Sequence, residues 1–209
     1  MDTKIFKVDE NKPDLTVIKI AAQVIRSGGL VAFPTETVYG LGANYFSESA
    51  MDKIYEVKER PRNKPLTITI TNIDTLHEFV DNISIFEQVL MERFWPGPLT
   101  LIFRARNGQK LGVRMPKNRI AQELLREANV PIALPSANLS GYKAPQAAEE
   151  VIKYLNGKID IILDGGPTDF GIESTVLDVS EFPFRILREG AIRKSQIADA
   201  GRSVMAEIA

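Results

Sequence analysis

Apolar residues follow two patterns, which take turns along the chain. Short continuous apolar runs are typical of strands buried on both faces of a sheet, and apolar residues three or four apart are typical of amphipathic helices. The clearest strand is predicted at residues 30–33, Leu-Val-Ala-Phe. The clearest helix is predicted between a capping Asp14 and the pair Gly28-Gly29, because such residues favour helix starts and ends. Its predicted apolar face consists of Leu15, Ile18, Ala22 and Ile25.

The same two patterns predict the other elements. Strands are expected at residues 4–8, where an edge strand is predicted, and at 66–70, 99–103, 111–115, 130–134, 159–163, 176–179 and 184–187. Helices are expected after a capping Ser47, at 73–79, 83–94 and 120–128, from Pro145 to 155, and in a short terminal segment capped by Ser195. Because no repeat, linker or low-complexity tract interrupts the chain, a single domain of the α/β class (α+β type) is predicted over residues 1–209.

Polar residues and glycines follow two of the predicted strands. Residues 34–42 read Pro-Thr-Glu-Thr-Val-Tyr-Gly-Leu-Gly, and residues 135–141 read Pro-Ser-Ala-Asn-Leu-Ser-Gly. Small hydroxyl groups and glycines allow a ligand to approach the backbone closely, and α/β proteins place ligands at strand ends. Each segment is read equally well as an ordinary connection, with Thr35 or Thr37 capping a helix in the first case and a polar turn in the second.

A third polar segment, residues 58–66, is called the basic loop here. It reads Lys-Glu-Arg-Pro-Arg-Asn-Lys-Pro-Leu, with four cations within seven residues, and its two prolines exclude a helix or a central strand. Cations held close together in a loop repel one another unless an anion lies between them. Phosphate is the anion that suits both lysine and arginine. The alternative is a solvated surface loop.

Composition narrows the chemistry. The chain has no cysteine and one histidine, which excludes disulfides, thiolate nucleophiles and multi-histidine metal centres. The formal net charge of −1 confines any contact with nucleic acid to a local patch. His77 is expected at or near the surface rather than in catalysis. Neither a membrane-spanning stretch nor a signal peptide is recognisable, so a cytoplasmic protein without membrane contact is expected.

The residues present favour a reaction in which the protein supplies positioning and charge rather than a nucleophile. No Ser-His-Asp set, GxGxxG loop or Walker lysine loop is evident. Nucleotidyl or phosphoryl transfer fits such an inventory. Arg114 lies in an apolar strand, where it either points to solvent or, if buried, needs an anionic partner. Trp95 is expected in the core rather than stacked on a ligand.

Eight motifs in a fixed order carry a resemblance to a known family. They are FPTETVYGLG, KERPRNKPL, WPGPLT, VRMP, PSANLSG, ILDGG, ESTVLDV and ILREG. Together, from about Gly29 to Ile192, they resemble the threonylcarbamoyl-AMP synthase family (YrdC/TsaC family). The resemblance implies a three-layer YrdC-like fold around a mixed, twisted sheet with a basic concave cavity. It also implies synthesis of threonylcarbamoyl-adenylate from L-threonine, bicarbonate and ATP, with release of pyrophosphate, for tRNA threonylcarbamoyladenosine modification.

Roles for individual residues follow from the same resemblance. Lys58, Arg60 and Arg62 would be catalytic by stabilising the ATP phosphates. The residues that bind ATP would be Lys58, Arg62, Lys110, Ser136, Asn138, Ala144 and Arg188. The residues that bind L-threonine would be Thr35, Thr67, Arg114, Leu134 and Ser174, with Arg114 suited to the carboxylate. No metal ligand is expected from the protein, because Mg²⁺ would arrive with ATP.

The resemblance also implies partners. These are the downstream enzymes that transfer the threonylcarbamoyl group to tRNA, and tRNA or double-stranded RNA itself. Some family members carry a second domain after a linker. Because this sequence ends shortly past Ile192, the single-domain form is expected.

Two other interpretations stay open. A paralogue of the same fold would bind RNA in ribosome or RNA maturation without making the adenylate. A carbamoyl-transfer domain of the hydrogenase-maturation type would use carbamoyl phosphate, although such a domain normally lies in a longer chain with zinc-finger cysteines.

Overall fold

The computed structural model describes the backbone of residues 2–208 and the side chains of residues 2–201. The strands are β1 (Lys4–Lys7), β2 (Val31–Phe33), β3 (Gly40–Asn44), β4 (Ile68–Thr69), β5 (Leu99–Arg104), β6 (Lys110–Arg114), β7 (Ile132–Ala133), β8 (Ile161–Asp164), β9 (Thr175–Asp178) and β10 (Arg185–Arg188). The α-helices are α1 (Leu15–Arg26), α2 (Glu48–Val57), α3 (Ile85–Phe94), α4 (Arg119–Ala128), α5 (Ala148–Leu155) and α6 (Lys194–Ile208), and a 3₁₀ helix spans Ile73–Glu78. Within this described range, no helix combines the length and the apolar character that crossing a bilayer requires.

The strands form one mixed sheet in the order β1-β8-β2-β3-β7-β4-β6-β5-β9-β10. The neighbours β1/β8, β2/β8, β4/β6 and β5/β9 run parallel. The neighbours β2/β3, β3/β7, β4/β7, β5/β6 and β9/β10 run antiparallel. The predicted α/β class with a mixed sheet is therefore confirmed, and β1 lies at an edge of the sheet as predicted.

Helices cover both faces of the half of the sheet that contains β8, β2 and β3. Successive side chains of a strand point to opposite faces. Val31 and Phe33 pack in one core with α1 and α4, whereas Ala32 packs in a second core with α2 and α5. The neighbouring strand β8 divides in the same way, with Ile161 in the first core and Ile162 in the second. Burial on both faces explains the continuous apolar runs, and it produces the three layers that the resemblance implied.

The half of the sheet that contains β4, β6, β5 and β9 is packed differently. One face packs against α3 and α6, and the buried strand residues in that core are Ile68, Leu99, Leu101, Phe103, Leu111, Val113 and Leu177. Residues of the opposite parity point to the other face, where loops rather than helices surround a cavity. They are Thr67, Thr69, Thr100, Arg114 and Val176. The open face is therefore polar because the alternation of these strands assigns their apolar residues to the helix side.

The predicted capping residues of α1 and α2 are confirmed. Asp14 accepts a hydrogen bond from the backbone N–H two residues on, and Ser47 accepts one from the N–H three residues on. The apolar face of α1 is confirmed for Ile18, Ala22 and Ile25. It is wrong for Leu15, which is 56% exposed at the first position of the helix.

Two other predicted helix starts are wrong. Helix α5 begins at Ala148 rather than at Pro145, because the Pro145 carbonyl accepts a hydrogen bond from Tyr39 N at 2.8 Å, outside any helix. Helix α6 begins at Lys194, so Ser195 lies inside it. The side chain of Gln196 instead accepts the N–H of Arg193, at 2.9 Å. This helix has 15 residues and is not short.

The segment at residues 34–42 contains a strand that its sequence does not indicate. One of the two interpretations of this segment is a connection from strand to helix, and that interpretation is wrong, because its last three residues begin β3, antiparallel to β2. Glycine disfavours strands, yet close packing requires it here. A Cβ at Gly40 would lie 2.5 Å from Cδ1 of Leu134, and one at Gly42 would lie 2.6 Å from Cε1 of Phe33.

This close packing predicts that Gly42→Ala destabilises the protein. Phe33 is fully buried and has little room to move, so the added methyl group should lower the free energy of unfolding by about 1–3 kcal/mol. Urea unfolding followed by circular dichroism measures the change. Lys19→Ala on the exposed face of α1 is the control and should change stability by less than about 0.5 kcal/mol. Equal stability of Gly42→Ala and the parent protein would show that β3 does not pack as described.

Candidate functional site

The open face of the second half of the sheet carries a cavity of about 130 Å³. It brings together residues from strand ends that are far apart in the sequence. Eight residues of the predicted site line it, namely Thr35, Arg60, Thr67, Arg114, Leu134, Ser136, Ser174 and Arg188. Three of these are arginines, and Glu173 is the one carboxylate among the described lining residues, so the cavity is basic.

Arg114 is the last residue of β6, and its side chain is buried rather than exposed to solvent. The residue is 7% exposed, and its Nε donates a hydrogen bond to Gly97 O at 3.2 Å. Its Nη2 lies 2.8 Å from Oε2 of Glu36, which is 2% exposed. The anionic partner that a buried arginine needs is therefore present, and the guanidinium faces the cavity in a fixed position.

Arg188 is the last residue of β10 and reaches into the cavity beside Ser174. Its Nη1 pairs with Oε1 of Glu173 at 2.6 Å, and its Nε donates to Ser174 O at 3.1 Å. The hydroxyl of Ser174 lies 3.3 Å from Nη2 of Arg188 and 2.9 Å from Oγ1 of Thr100. These contacts join β10, β9 and β5 into one polar wall.

Thr175 fixes the turn that follows Arg188. Its buried Oγ1 donates a hydrogen bond to Ile192 O at 2.6 Å, and it accepts hydrogen bonds from Gly190 N at 2.9 Å and Ile192 N at 3.0 Å. Gly190 allows this approach, because a Cβ there would lie 2.2 Å from Glu173 O. This hydroxyl group therefore holds the turn after Arg188 close to β9, together with the hydrogen bond from Ala191 N to Glu173 O at 3.1 Å.

Thr35 lines the cavity at the end of β2 and orders its own loop. Its Oγ1 donates to Val38 O at 2.8 Å and lies 2.8 Å from the hydroxyl of Thr37. It also accepts hydrogen bonds from the N–H groups of Thr37 and Val38. Hydroxyl groups that bond to nearby backbone in this way stabilise a tight turn.

Lys58 lies behind the cavity rather than in its lining. It is 1% exposed, and its Nζ donates hydrogen bonds to the carbonyls of Ser136 and Asn138. Removal from water, and then the nearby charge of Arg60, lower the pKa of Lys58 to about 7. Lys58 therefore joins the basic loop to the segment at 135–141 through an amine whose pKa of about 7 lies near physiological pH.

Arg60 and Arg62 of the basic loop differ in position. Arg60 lines the cavity, donates to Pro65 O at 2.9 Å, and has its pKa lowered by burial. Arg62 lies outside the lining, is 63% exposed, and pairs with Asp52. Its guanidinium also lies 5.3 Å from the ring centre of Tyr55, and the hydrogen bond to Asp52 raises its pKa. Arg62 would have to leave Asp52 to reach a ligand in the cavity.

Three more residues of the predicted site lie outside the lining. Asn138 is buried, and its Oδ1 accepts no hydrogen bond from the described residues. Ala144 is half-buried further along the same segment. Lys110 begins β6 and pairs with Asp178 at 2.7 Å. At 3.3 Å per residue, the strand separates Lys110 from Arg114 by roughly 13 Å, so these two residues are not brought together.

Sequence reasoning missed several lining residues, among them Thr69, Thr100, Glu173 and Val176. A signal for the threonines was present. Thr69 and Thr100 each interrupt an apolar strand, and each has the parity that turns it away from the apolar neighbours on either side. The signal becomes visible once the buried face of the strand is known.

Comparison with known proteins shows the family of the chain. The family model Sua5/YciO/YrdC, described as "Telomere recombination", matches residues 23–190. The chain belongs to the Sua5/YciO/YrdC family. The matched range contains every residue of the predicted site, from Thr35 to Arg188.

Two curated relatives are named threonylcarbamoyl-AMP synthase. The Pyrococcus abyssi protein is 46% identical over 86% of this chain and 56% of its own length, and the Bacillus subtilis protein is 45% identical over 94% of this chain and 61% of its own. The crystal structure of P. abyssi Sua5 complexed with L-threonine has a TM-score of 0.92, with 42% identity over 95% of this chain and 61% of that one. The chain therefore spans about six tenths of the length of these relatives, and the single domain predicted over residues 1–209 stays a prediction.

The contacts of Thr175 predict that Thr175→Val loosens the turn after Arg188. The half-buried N–H of Gly190 and the buried N–H of Ile192 would lose their acceptor, so the free energy of unfolding should fall by about 1–3 kcal/mol. Hydrogen exchange at these two amides should accelerate. Thr168→Val is the matched control, because Oγ1 of Thr168 is buried without a hydrogen bond among the described residues and its loss should not destabilise. Slow exchange at Gly190 in Thr175→Val would contradict the role given to Thr175.

Proposed function

We propose that the protein is a threonylcarbamoyl-AMP synthase, which forms threonylcarbamoyl-adenylate from L-threonine, bicarbonate and ATP and releases pyrophosphate. The observation that carries the proposal is the convergence of a buried Arg114, hydroxyl groups from several strand ends and the basic loop on one small cavity. The names of the relatives, and the L-threonine bound by P. abyssi Sua5, support it.

L-threonine would occupy the cavity itself. A volume of about 130 Å³ is well below the roughly 300 Å³ and more of pockets for drug-sized ligands, so it suits one small amino acid. Arg114 would bind the carboxylate, because a guanidinium forms two parallel hydrogen bonds with such a group. The other residues proposed to hold threonine are Thr35, Thr67, Leu134 and Ser174.

ATP would extend from the cavity along the basic loop. Lys58, Arg60 and Arg62 would stabilise the phosphate charge, with Arg188 approaching from the opposite wall. Ser136 and Asn138 would contact the nucleotide, and the buried Oδ1 of Asn138 is an acceptor free to receive a donor group. Arg62 would join this set only after releasing Asp52. Contacts from the backbone near Lys110 and Ala144 stay predictions, which the positions of these residues outside the lining do not support.

The proposed chemistry requires no protein nucleophile. The amine of threonine attacks carbon dioxide derived from bicarbonate, so that an N–C bond forms and the amine loses a proton. An oxygen of the resulting carbamate attacks the α-phosphorus of ATP, and the bond to the β-phosphate oxygen breaks, which releases pyrophosphate. The protein would contribute orientation of the two substrates and stabilisation of the phosphate charge.

Further parts of the proposal concern partners. Mg²⁺ would arrive with ATP and share its phosphate charge, which suits an ion that is usually held partly by substrate phosphates. The residues described here contain no cluster of three or more His, Cys, Asp or Glu side chains placed to hold a metal ion. The product would pass to enzymes that modify tRNA, in the cytoplasm. Contact of this protein with tRNA or double-stranded RNA stays a prediction.

Pyrophosphate release tests the proposed function against the alternatives. With ATP present, release should require L-threonine and bicarbonate together, and neither should suffice alone. A paralogue that only binds RNA would release none under any of these conditions. A carbamoyl transferase of the hydrogenase-maturation type would instead depend on carbamoyl phosphate. Either of these last two results would reject the synthase proposal.

The same assay tests the phosphate role of the basic loop in Lys58→Ala, Arg60→Ala and Arg62→Ala. Loss of a charge-assisted hydrogen bond should raise the KM for ATP by about tenfold or more in each variant and change the KM for threonine by less than about twofold. Arg104→Ala is the control, because Arg104 is an exposed arginine paired with Glu181 at the far end of β5. Wild-type kinetics in Lys58→Ala and Arg62→Ala would remove both from the phosphate site.

The lowered pKa of Lys58 predicts proton uptake when ATP binds. At pH 8 the amine is mostly neutral in the free protein, since its pKa is about 7. Nearby phosphates favour the charged form, so binding should raise this pKa and take up close to one proton, about the full amount for a single site. Calorimetry in two buffers of different ionisation enthalpy measures the uptake. Lys58→Met should abolish the uptake, and Lys53→Met in the preceding helix α2 should not. Uptake that persists in Lys58→Met would assign it to another group.

A further inference from the structure

The proposed function assigns no role to the buried carboxylate of Glu36. Glu36, between β2 and β3, is 2% exposed, and its carboxylate oxygens accept no hydrogen bond within the described residues. Among the described residues, Glu36 forms one ion pair, with Arg114 at 2.8 Å. A buried ion pair seldom adds to stability relative to apolar side chains of the same size, because both charges lose their water. A functional reason for the pair is therefore expected.

Glu36 and Arg114 face different spaces. Arg114 lines the threonine cavity, and Glu36 does not. Glu36 instead lines a second cavity of about 850 Å³, together with Glu10, Asn118 and Asp169. The carboxylate therefore meets the guanidinium from behind, as seen from the threonine cavity. Gly97 O accepts a hydrogen bond from Nε at 3.2 Å, and Glu36 pairs with Nη2 through charge without a hydrogen bond among the described residues. N–H groups of both Nη1 and Nη2 are therefore left to bind the two oxygens of a ligand carboxylate.

The backbone that carries Glu36 is itself fixed. Its carbonyl accepts a hydrogen bond from Phe170 N at 2.9 Å. On either side, the hydroxyl groups of Thr35 and Thr37 lie 2.8 Å apart and are buried. Because the loop is held at three neighbouring residues, the carboxylate reaches the guanidinium from a fixed main chain.

We infer that Glu36 is a positioning residue for the amino-acid substrate, acting through Arg114. It orients the guanidinium and cancels most of its charge while the cavity is empty. A cancelled charge attracts small inorganic anions weakly, so recognition depends on the two-point geometry that an amino-acid carboxylate offers. This matters beside a site proposed to handle bicarbonate, triphosphate and pyrophosphate. The inference rests on the proposed function and assigns to Glu36 a part in it.

Threonine binding by Glu36→Gln, measured by calorimetry without ATP, tests the inference. The amide keeps the shape of the side chain but holds the guanidinium weakly and leaves its charge uncancelled. Chloride should then compete with threonine. Between about 10 mM and about 300 mM chloride, the Kd for threonine should rise about tenfold in the variant and less than about twofold in the parent protein. The KM for ATP in the pyrophosphate assay should change by less than about twofold.

Two further variants separate charge from shape. Asp169→Asn removes the same charge from the second cavity at a residue that has no ion pair with Arg114, and it should bind threonine as the parent does. Glu36→Asp keeps the charge but shortens the side chain, so it should bind threonine more weakly with little dependence on chloride. It also keeps the test decisive if Glu36→Gln does not fold.

The outcomes are distinct. Unchanged or tighter threonine binding in Glu36→Gln, an equal loss of ATP and threonine binding, or a loss that does not depend on chloride would each overturn the inference. Equal chloride dependence in Glu36→Asp and Glu36→Gln would also overturn it. If the parent protein itself bound no threonine, the proposed function would fail instead, so the two failures can be told apart.

Discussion

A buried amine or guanidinium needs oxygen atoms in place of the water it loses, and this requirement shapes the whole site. Lys58 obtains them from the carbonyls of Ser136 and Asn138, which fixes the basic loop against the segment after β7. Arg114 obtains them from Glu36 and Gly97. Each of these buried basic side chains thus also joins segments that are distant in the sequence, and these contacts bring the strand ends together.

The two halves of the sheet differ in how many of their faces are covered by helices. The half around β2 and β8 is buried on both faces, so it can be built from continuous apolar runs and contributes mainly stability. The half around β5 and β6 keeps one face free of helices. Its alternation places leucine and valine under α3 and α6 and places Thr100 and Arg114 on the free face. The cavity therefore lies on the face that no described helix covers. The apolar side chains of these strands pack on the other face, so the cavity does not remove their contacts.

Much of the fold could be predicted from the sequence, because many of its signals are local. The caps Asp14 and Ser47 bond to N–H groups two or three residues away, so no tertiary contact is needed to find them. The strand β3 was hidden because Gly42 is required by the ring of Phe33 on a neighbouring strand, which no local rule reveals. In the site, motif residues such as Ser174 and Arg188 were found by resemblance. Glu36 lies within a recognised motif, but nothing in the sequence assigned it a role. Its proposed role depends on its contact with Arg114, which is distant in the sequence.

The strand β10 joins the site to the edge of the sheet. It has four residues, it pairs with β9 alone, and its final residue is the arginine whose guanidinium enters the cavity. Edge strands fray readily, and each opening of β10 would withdraw a positive charge from the proposed nucleotide site. An anion held by Arg188 would oppose that opening. Anion binding at the cavity and closure of the sheet margin would thus be thermodynamically coupled through one short strand.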